Sequence, residues 1–301
     1  MEKVLLQLRD ELNKSLESRR IFHGRGKAFS PYDYFNIELY FPYIVLVSYK
    51  DFEPNLINGI LNTIKTTVPK QILGVMLQKR HLPYSPMELL DGEMPSEAQI
   101  LIENNLYAMK FGQSQNLGFF LDNVLGRDYL AKNSKGKKIL NLFAYTSSLS
   151  VVALKSGAES VINFDMSKAA IKRAKINHQL NNIDLRSVKF FDHDIFKSLG
   201  KIERLGPYDL IIIDPPLDHG DHFKLLRDYP KLITRSYKWL NNGGKLLTFL
   251  NSPHHDFLFL KQMVESQNLH FRLTEQMGLP EYFLETDPEH GLKILVWEKY
   301  E

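Results

Sequence analysis

Three acidic positions in the second half of the chain each follow a short apolar run: Asp165 after Val161–Phe164, Asp194 shortly after Val188–Phe191, and Asp214 after Leu210–Ile213. An apolar run closed by a carboxylate reads as a buried parallel strand ending at the C-terminal edge of a sheet. In an open α/β sheet, that edge is where a nucleotide-like ligand binds. The segment Lys137-Lys138-Ile139-Leu140-Asn141-Leu142-Phe143-Ala144-Tyr145-Thr146 supplies the preceding strand and its turn. Together they suggest an adenosine cofactor held above the edge, with a reacting group beside Asp214. This is the layout of a methyl-transfer site.

The residue types support that chemistry. Around Asn141 to Ser148, a strand followed by a helix aims helix N-terminal amides at whatever lies above the edge. Thr146, Ser147 and Ser148 can cap the helix and offer hydroxyls to a carboxylate. No glycine-rich phosphate fingerprint is present, which argues against NAD and ATP and suits S-adenosylmethionine, which carries no phosphate. Asp165 lies about 20 residues beyond this turn, where an acid can hold both ribose hydroxyls. The competing reading is an N-cap for the next helix, a role for which Ser167 competes. Asp194 suits the adenine amino group, with Ile195 packing on the ring; Asp192 is a rival. Asp214-Pro215-Pro216 is the most discriminating element. Consecutive prolines fix φ and remove two amide donors, leaving a rigid turn whose carboxylate and carbonyls face the pocket. A planar base hydrogen-bonded there can present a lone pair to a sulfonium methyl, a reaction that needs alignment and desolvation more than acid–base help. Asp122 and Arg127 are expected at the amino-acid end of the cofactor, under Phe119 and Phe120, or else form an interdomain ion pair beside core aromatics.

These residues need a sheet to position them. From about Gly118, strands and helices alternate. The expected strands are 138–143, 160–165, 187–192, 210–214, 245–251, 271–277 and 292–297, and the expected helices are 147–156, 168–181, 229–240 and 256–266. The last two strands lack an intervening helix, so the final one is expected to enter antiparallel. Ahead of them, Val4, Leu5, Leu8, Leu12 and Leu16 predict a helix from Lys3 to about Arg20. Strands 37–41, 43–49 and 72–78, a helix at 55–66, a long proline-marked connection and a hairpin at 98–111 follow. The fold class is therefore α/β. Its Rossmann-like seven-stranded sheet occupies 113–301, and a small α+β domain with the hairpin occupies 1–112 as a possible substrate-recognition unit.

Composition narrows the function classes. Hydrophobic residues make up 44% of 301 positions, enough for a core. No apolar run approaches the roughly 20 residues needed to span a bilayer, and the N-terminus lacks a secretory apolar region, so a cytoplasmic location without membrane association is expected. The chain has no cysteine, which excludes disulfides, thiolate metal sites and a cysteine nucleophile. The net charge of +3 is unevenly spread: 14 Lys/Arg face 7 Asp/Glu between Asp128 and Arg204, against 4 and 9 between Asp256 and Glu301. The basic stretch suits a polyanionic substrate or is a solvated helix face. The clusters Asp218-His219-Gly220-Asp221-His222 and His254-His255-Asp256 lie in loops without metal-ligand register, and no metal site is expected.

Gly118-Phe119-Phe120-Leu121-Asp122, Lys138–Thr146, Phe164-Asp165-Met166-Ser167 and Asp214-Pro215-Pro216 together resemble bacterial 23S ribosomal RNA methyltransferases, the enzymes that form 5-methylcytosine or N7-methylguanine, and their relatives. The likeness covers about residues 97–298. It implies an S-adenosylmethionine-dependent enzyme whose cofactor contacts come from Asp122, Arg127, Asn141, Phe143, Tyr145, Thr146, Asp165, Met166, Asp194, Ile195 and Asp214, with Asp214, Pro215 and Pro216 at the reacting base. Ser147 stands where family members often have glycine, and Leu217 where they usually have a bulky stacking residue. The cytosine-C5 branch uses a cysteine nucleophile that this chain lacks. The expected activity is thus methylation of an RNA base nitrogen, with ribosomal RNA as partner. Arg20, Arg25, Lys27, Tyr32, Tyr34 and Phe35 are candidates for the RNA path. The alternatives are a methyltransferase for a small molecule or protein side chain, and a non-catalytic RNA-binding or ribosome-assembly factor.

Overall fold

The computed structural model of the chain describes residues 1–112, 115–220 and 222–300. It contains two compact units: Met1–Asp122 with Glu281–Asp287, and Asn123–Pro280 with Pro288–Glu301.

In the first unit, helix α1 (Glu2–Lys14) buries Val4, Leu8 and Leu12 along one face. It stops well short of Arg20 because the Arg19 guanidinium donates to the Glu11 and Ser15 carbonyls, and Arg19–His23 turns into strand β1 instead. Strands β2 (Phe35–Tyr40), β3 (Tyr43–Ser48), β4 (Gly74–Lys79) and β5 (Met87–Gly92) complete a sheet in the order β1-β2-β3-β4-β5. Helix α2 (Pro54–Thr67) is the crossover between the parallel strands β3 and β4. Ile37, Leu39, Ile44, Leu46, Val75 and Leu77 form one core with α1 and α2. Strand β5 lies inside the stretch expected to be an irregular connection, since Pro86 and Pro95 flank it without interrupting it. Strands β6 (Glu97–Ile102) and β7 (Asn105–Lys110) form the expected hairpin. Its two turn residues, Glu103 and Asn104, both have positive φ, as a tight two-residue hairpin requires.

The unit boundary falls at Asp122/Asn123 rather than at 112/113, because the chain after the hairpin stays with the first unit: Phe119 packs on Tyr107 with ring centroids 4.6 Å apart. The segment Glu281–Asp287 returns to the same unit. There Glu285 Oε1 lies 2.8 Å from His23 Nε2, and the Thr286 amide donates to the Gly26 carbonyl.

The second unit opens with helix α3 (Val124–Asn133), which the sequence pattern had not separated from the preceding loop. Strand β8 (Lys138–Leu142), helix α4 (Ser148–Lys155), strand β9 (Ser160–Phe164), helix α5 (Lys168–Leu180), strand β10 (Val188–Phe191), the short helix α6 (Leu199–Leu205) and strand β11 (Tyr208–Ile213) then alternate. A two-residue ladder, β12 (Asp218–His219) with β13 (Phe223–Lys224), precedes helix α7 (Leu225–Trp239). Strand β14 (Leu240–Asn251), helix α8 (Phe257–Glu265), strand β15 (Phe271–Met277) and strand β16 (Leu292–Lys299) end the chain. The sheet order is β10-β9-β8-β11-β14-β16-β15, with the first five parallel and both β16 pairings antiparallel. This is the α/β sheet expected. Asn242-Gly243-Gly244 is a bulge inside β14 rather than a turn before it: pairing with β11 jumps from Tyr208–Leu240 to Leu210–Lys245. Alternation along the strands sends Leu140, Leu142, Ile211 and Ile213 toward α6, α7 and α8, and Ile139, Leu210 and Ile212 toward α3 and α4. Strand order reverses beside β8, whose neighbours are β9 and β11, so the crevice for a ligand opens above the ends of these three strands. Among the described residues, no helix is long and apolar enough to cross a membrane.

Candidate active site

Residues 143–147 join β8 to α4 through an unusual backbone. Phe143, Tyr145 and Ser147 have φ of 57°, 48° and 59°, so every second residue is left-handed without a glycine among them. Each such residue costs about 1–2 kcal/mol, so the surroundings must hold the loop. They do so through its polar groups. The Ala144 amide donates to the Phe164 carbonyl (3.0 Å), the Tyr145 amide to Asp165 Oδ2 (2.8 Å), and Asn177 Nδ2 to the Thr146 carbonyl (2.9 Å).

Asp165 is half-buried just past β9. Its other oxygen accepts the Ser167 amide at 2.8 Å, while Ser167 Oγ caps α5 by accepting the Ala170 amide. The cap therefore belongs to Ser167. These two amides fix the orientation of the Asp165 carboxylate at the sheet edge. Met166 beside it is 40% exposed at the edge. Past β10, Asp194 is half-buried and its Oδ1 accepts the Phe196 (2.8 Å) and Lys197 (3.3 Å) amides, whereas Asp192 is exposed. Ile195 is buried in the core. Past β11, Asp214 is half-buried, Pro215 buried, and Pro216 and Leu217 exposed. The Tyr229 hydroxyl shares its proton between the Ile213 (3.1 Å) and Phe249 (3.0 Å) carbonyls, tying β11 to β14 just below Asp214. Burial, reinforced by the Asp214 charge, holds the Tyr229 phenol well above its ordinary range, so it stays protonated as a tether.

The other residues expected to contact the cofactor are placed as follows. Asn141 is buried, and its Nδ2 donates to Asn163 Oδ1 at 3.0 Å within the sheet. Phe143 is half-buried with its ring edge-on to Phe223, and Thr146 is buried while Tyr145 is half-buried. Arg127 is only 2% exposed on α3. Asp122 closes the first unit, where its charge helps raise the Arg20 guanidinium. Phe119 is buried and Phe120 exposed. Arg20 is no surface cation: it donates from Nε and Nη2 to Glu38 Oε1, whose partner oxygen accepts from the Tyr40 hydroxyl. Phe35 is core, with half-buried Tyr32 and Tyr34 packed beside it.

The histidine clusters also have structural roles. Asp218 accepts the Leu225 amide, Asp256 caps α8 by accepting the Phe259 amide, and His255 Nδ1 meets Ser252 Oγ at 2.9 Å; Asp221 lies outside the described residues. Among the described residues, no group of three or more acidic or histidine side chains is arranged to hold a metal ion.

Behind the loop lies a buried polar chain that sequence reasoning missed. Asn141 donates to Asn163, Asn163 Nδ2 to Ser150 Oγ (3.1 Å), Ser150 Oγ meets His178 Nε2 (2.9 Å), and His178 Nδ1 meets the Ala174 carbonyl (2.7 Å). Desolvation pushes the His178 imidazole down to about 4, so it is neutral, carrying its proton on Nδ1 and accepting from Ser150. The available signal was an asparagine in the middle of an apolar strand, Ser160-Val161-Ile162-Asn163-Phe164.

Loop amides and an edge carboxylate, with no lysine cradle, fit a cofactor that carries a ribose and an amino acid but no phosphate. The family profile of the S-adenosylmethionine-dependent methyltransferases matches residues 19–298. The chain belongs to this family. Its cofactor is accordingly S-adenosylmethionine. Ribosomal RNA large subunit methyltransferase I of Aeromonas salmonicida is 33% identical over 166 residues, covering 54% of this chain and 42% of that protein. The chain spans about half the length of the curated relatives it matches. A solved structure from Streptococcus mutans assigned to the SAM-dependent methyltransferases superposes with a TM-score of 0.86 at 23% identity, covering 99% of this chain and 81% of that one. Another, complexed with SAH, gives 0.87 at 23% identity over 98% and 80%. At such identity these two structures establish the fold.

Proposed function

We propose that this methyltransferase acts on a nitrogen of a ribosomal RNA base in the cytoplasm, without a covalent intermediate, and that the first unit takes part in substrate recognition. The observation that carries the reading is Asp214, half-buried at the switch-point edge before a buried proline, in a chain with no cysteine. The large-subunit ribosomal RNA methyltransferases among its relatives support the substrate class.

When bound, S-adenosylmethionine supplies a methyl group on a sulfonium whose departure as a neutral thioether needs no acid. Asp165 holds the ribose hydroxyls, Asp194 the adenine amino group, and the Tyr145 and Thr146 loop the amino-acid end, beside Met166. Asp214 and the Pro215 carbonyl accept hydrogen bonds from the exocyclic or ring N–H groups of the base, fixing its acceptor nitrogen in line with the methyl carbon. With the base so held, its nitrogen would take the methyl group as the cofactor left as a thioether, and any proton it then carried would pass to water. Alignment and desolvation of this kind supply most of the acceleration for such a displacement. Asn141 and Arg127 are positioning residues in this scheme, since both are buried.

The test is transfer of labelled methyl to ribosomal RNA from cells lacking the gene, followed by nucleoside analysis. An N-methylated base that disappears with Asp214→Ala, while cofactor binding persists, is the expected result. A C5-methylated pyrimidine, or label entering only protein or small molecules, refutes the reading.

A further inference from the structure

Helix α7 carries Arg227, Lys231, Arg235 and Lys238, all exposed, and Asp228 is the only acid among its fifteen residues. At 100° per residue the four cations fall within about 80° of one another, a single stripe about 16 Å long. Leu225, Asp228, Tyr229, Leu232, Ile233, Ser236 and Trp239 are the buried residues of this helix. Asp228 does not offset the stripe from outside: Arg227 Nη2 (2.7 Å), Lys231 Nζ (3.1 Å) and the Lys224 amide (2.9 Å) meet its buried carboxylate, the Arg227 guanidinium above all holding it well below the usual carboxylate range. One carboxylate thus anchors two cations at the head of a run of four.

The head of the stripe, Arg227 and Lys231, lines a cleft of about 490 Å³ together with Asp194, Phe196, Lys197 and His222. Lys197 adds a fifth cation, and the half-buried Phe196 ring is the cleft's aromatic surface. Asp194 stands on the edge that carries the cofactor acids. A polyanion lying along α7 therefore runs directly to the reacting edge.

We propose that the α7 stripe, with Lys197, binds the phosphodiester backbone of a single-stranded segment of the substrate RNA flanking the target nucleotide. This rests on the RNA reading above and adds the surface that reading lacks, since the half-buried Arg20 is held in an ion pair with Glu38. Stripe and cleft together match what single-stranded RNA recognition uses: cations spaced along a backbone and an aromatic surface for a base.

The experiment measures binding of a fluorescent single-stranded RNA oligonucleotide across 0.05–0.3 M salt (about one decade of affinity change per contact pair) for wild type and K231Q/R235Q/K238Q. Neutralising three phosphate contacts, each contributing roughly 0.7 to the log–log slope, flattens that slope by about 2 and weakens binding about 100-fold near 0.1 M salt. Cofactor affinity and melting temperature are measured alongside. If the triple variant loses its fold, R235Q/K238Q replaces it, since neither side chain holds Asp228. An unchanged slope in the variant, with wild type binding RNA normally, overturns the stripe and leaves the RNA reading standing. Wild type that shows no salt-dependent RNA affinity overturns both. Binding to anionic phospholipid vesicles that the variant loses, while its RNA affinity is unchanged, also overturns the proposal.

Discussion

Ser147 is the sharpest place to perturb the site, because two costs meet there. Its backbone is left-handed (φ 59°, ψ 37°) at the N-cap of α4, and its Oγ is fully buried without a hydrogen-bond partner among the described residues. A left-handed non-glycine residue costs roughly 1.5 kcal/mol, and an unsatisfied buried hydroxyl about 1.5 kcal/mol. Ser147→Gly removes both. Against that gain stand the extra entropy of glycine in the unfolded chain, roughly 0.75 kcal/mol, and the loss of one buried carbon, about 0.8 kcal/mol. The balance is a stabilisation of about 1–1.5 kcal/mol, or a rise in melting temperature of roughly 2–6 °C for a domain of this size. Ser147→Ala removes only the orphaned hydroxyl and gains about 1.5 kcal/mol. Both are measured by chemical denaturation followed by far-UV circular dichroism, with cofactor titration in parallel. Because the Ser147 side chain is turned away from solvent, neither change alters cofactor affinity more than a few-fold. A loss of 1 kcal/mol or more in Ser147→Gly refutes the account of strain, and a neutral Ser147→Ala refutes that of the hydroxyl.

The neutral His178 makes the fold acid-sensitive. Its folded-state value of about 4 lies below the ordinary 6.5, so between pH 6.5 and 4 the unfolded chain takes up a proton that the native state refuses. Stability therefore falls as pH drops through that window, by about 3 kcal/mol in all, and this contribution is flat above 6.5 and below 4. Denaturation from pH 7 to 4 should show about one proton fewer taken up in His178→Gln. Lys293 is fully buried with its ammonium donating to the carbonyls of Ser252 (2.8 Å), Glu289 (2.6 Å) and Gly291 (2.6 Å). Lys293→Met leaves three acceptors unmet and costs roughly 3 kcal/mol or more, read by the same denaturation. Asn177→Ala removes the donor to the Thr146 carbonyl. It is expected to weaken cofactor binding about tenfold without touching Asp165, Asp194 or Asp214, measured by calorimetric titration, and unchanged affinity would count against loop positioning.

The edge of the sheet is legible in the sequence because an apolar run closed by an acid has one economical meaning in an α/β protein. That is why Asp165, Asp194 and Asp214 can be placed at strand ends before any coordinates. Elements whose signals are weaker or of mixed period escape. Strand β5, Met87-Glu88-Leu89-Leu90-Asp91-Gly92, is half-exposed at a sheet edge and shows no clean alternation. Helix α3 has apolar residues on no single face, and α6 spans only seven residues. Long-range polar contacts escape altogether: nothing in the spacing says that Arg20 will meet Glu38, or that residues 281–287 will rejoin the first unit.

The loop at 143–147 shows why first contacts and supporting contacts are hard to tell apart by residue type. Three left-handed residues there cost roughly 3–6 kcal/mol together. The hydrogen bonds that the Tyr145 and Ala144 amides donate to Asp165 and the Phe164 carbonyl, and that Asn177 donates to the Thr146 carbonyl, act against that cost. Asp165 thus serves twice: one oxygen fixes the Tyr145 amide, while the carboxylate stands at the edge where a ribose would sit. Asn141, on the neighbouring strand β8, is the first member of a buried chain ending at His178. A polar residue at a strand end faces the ligand or the interior according to the pleat, and a one-residue difference reverses the answer. Asn141 pairs in register with Asn163, one strand over, a match that only the strand pairing reveals.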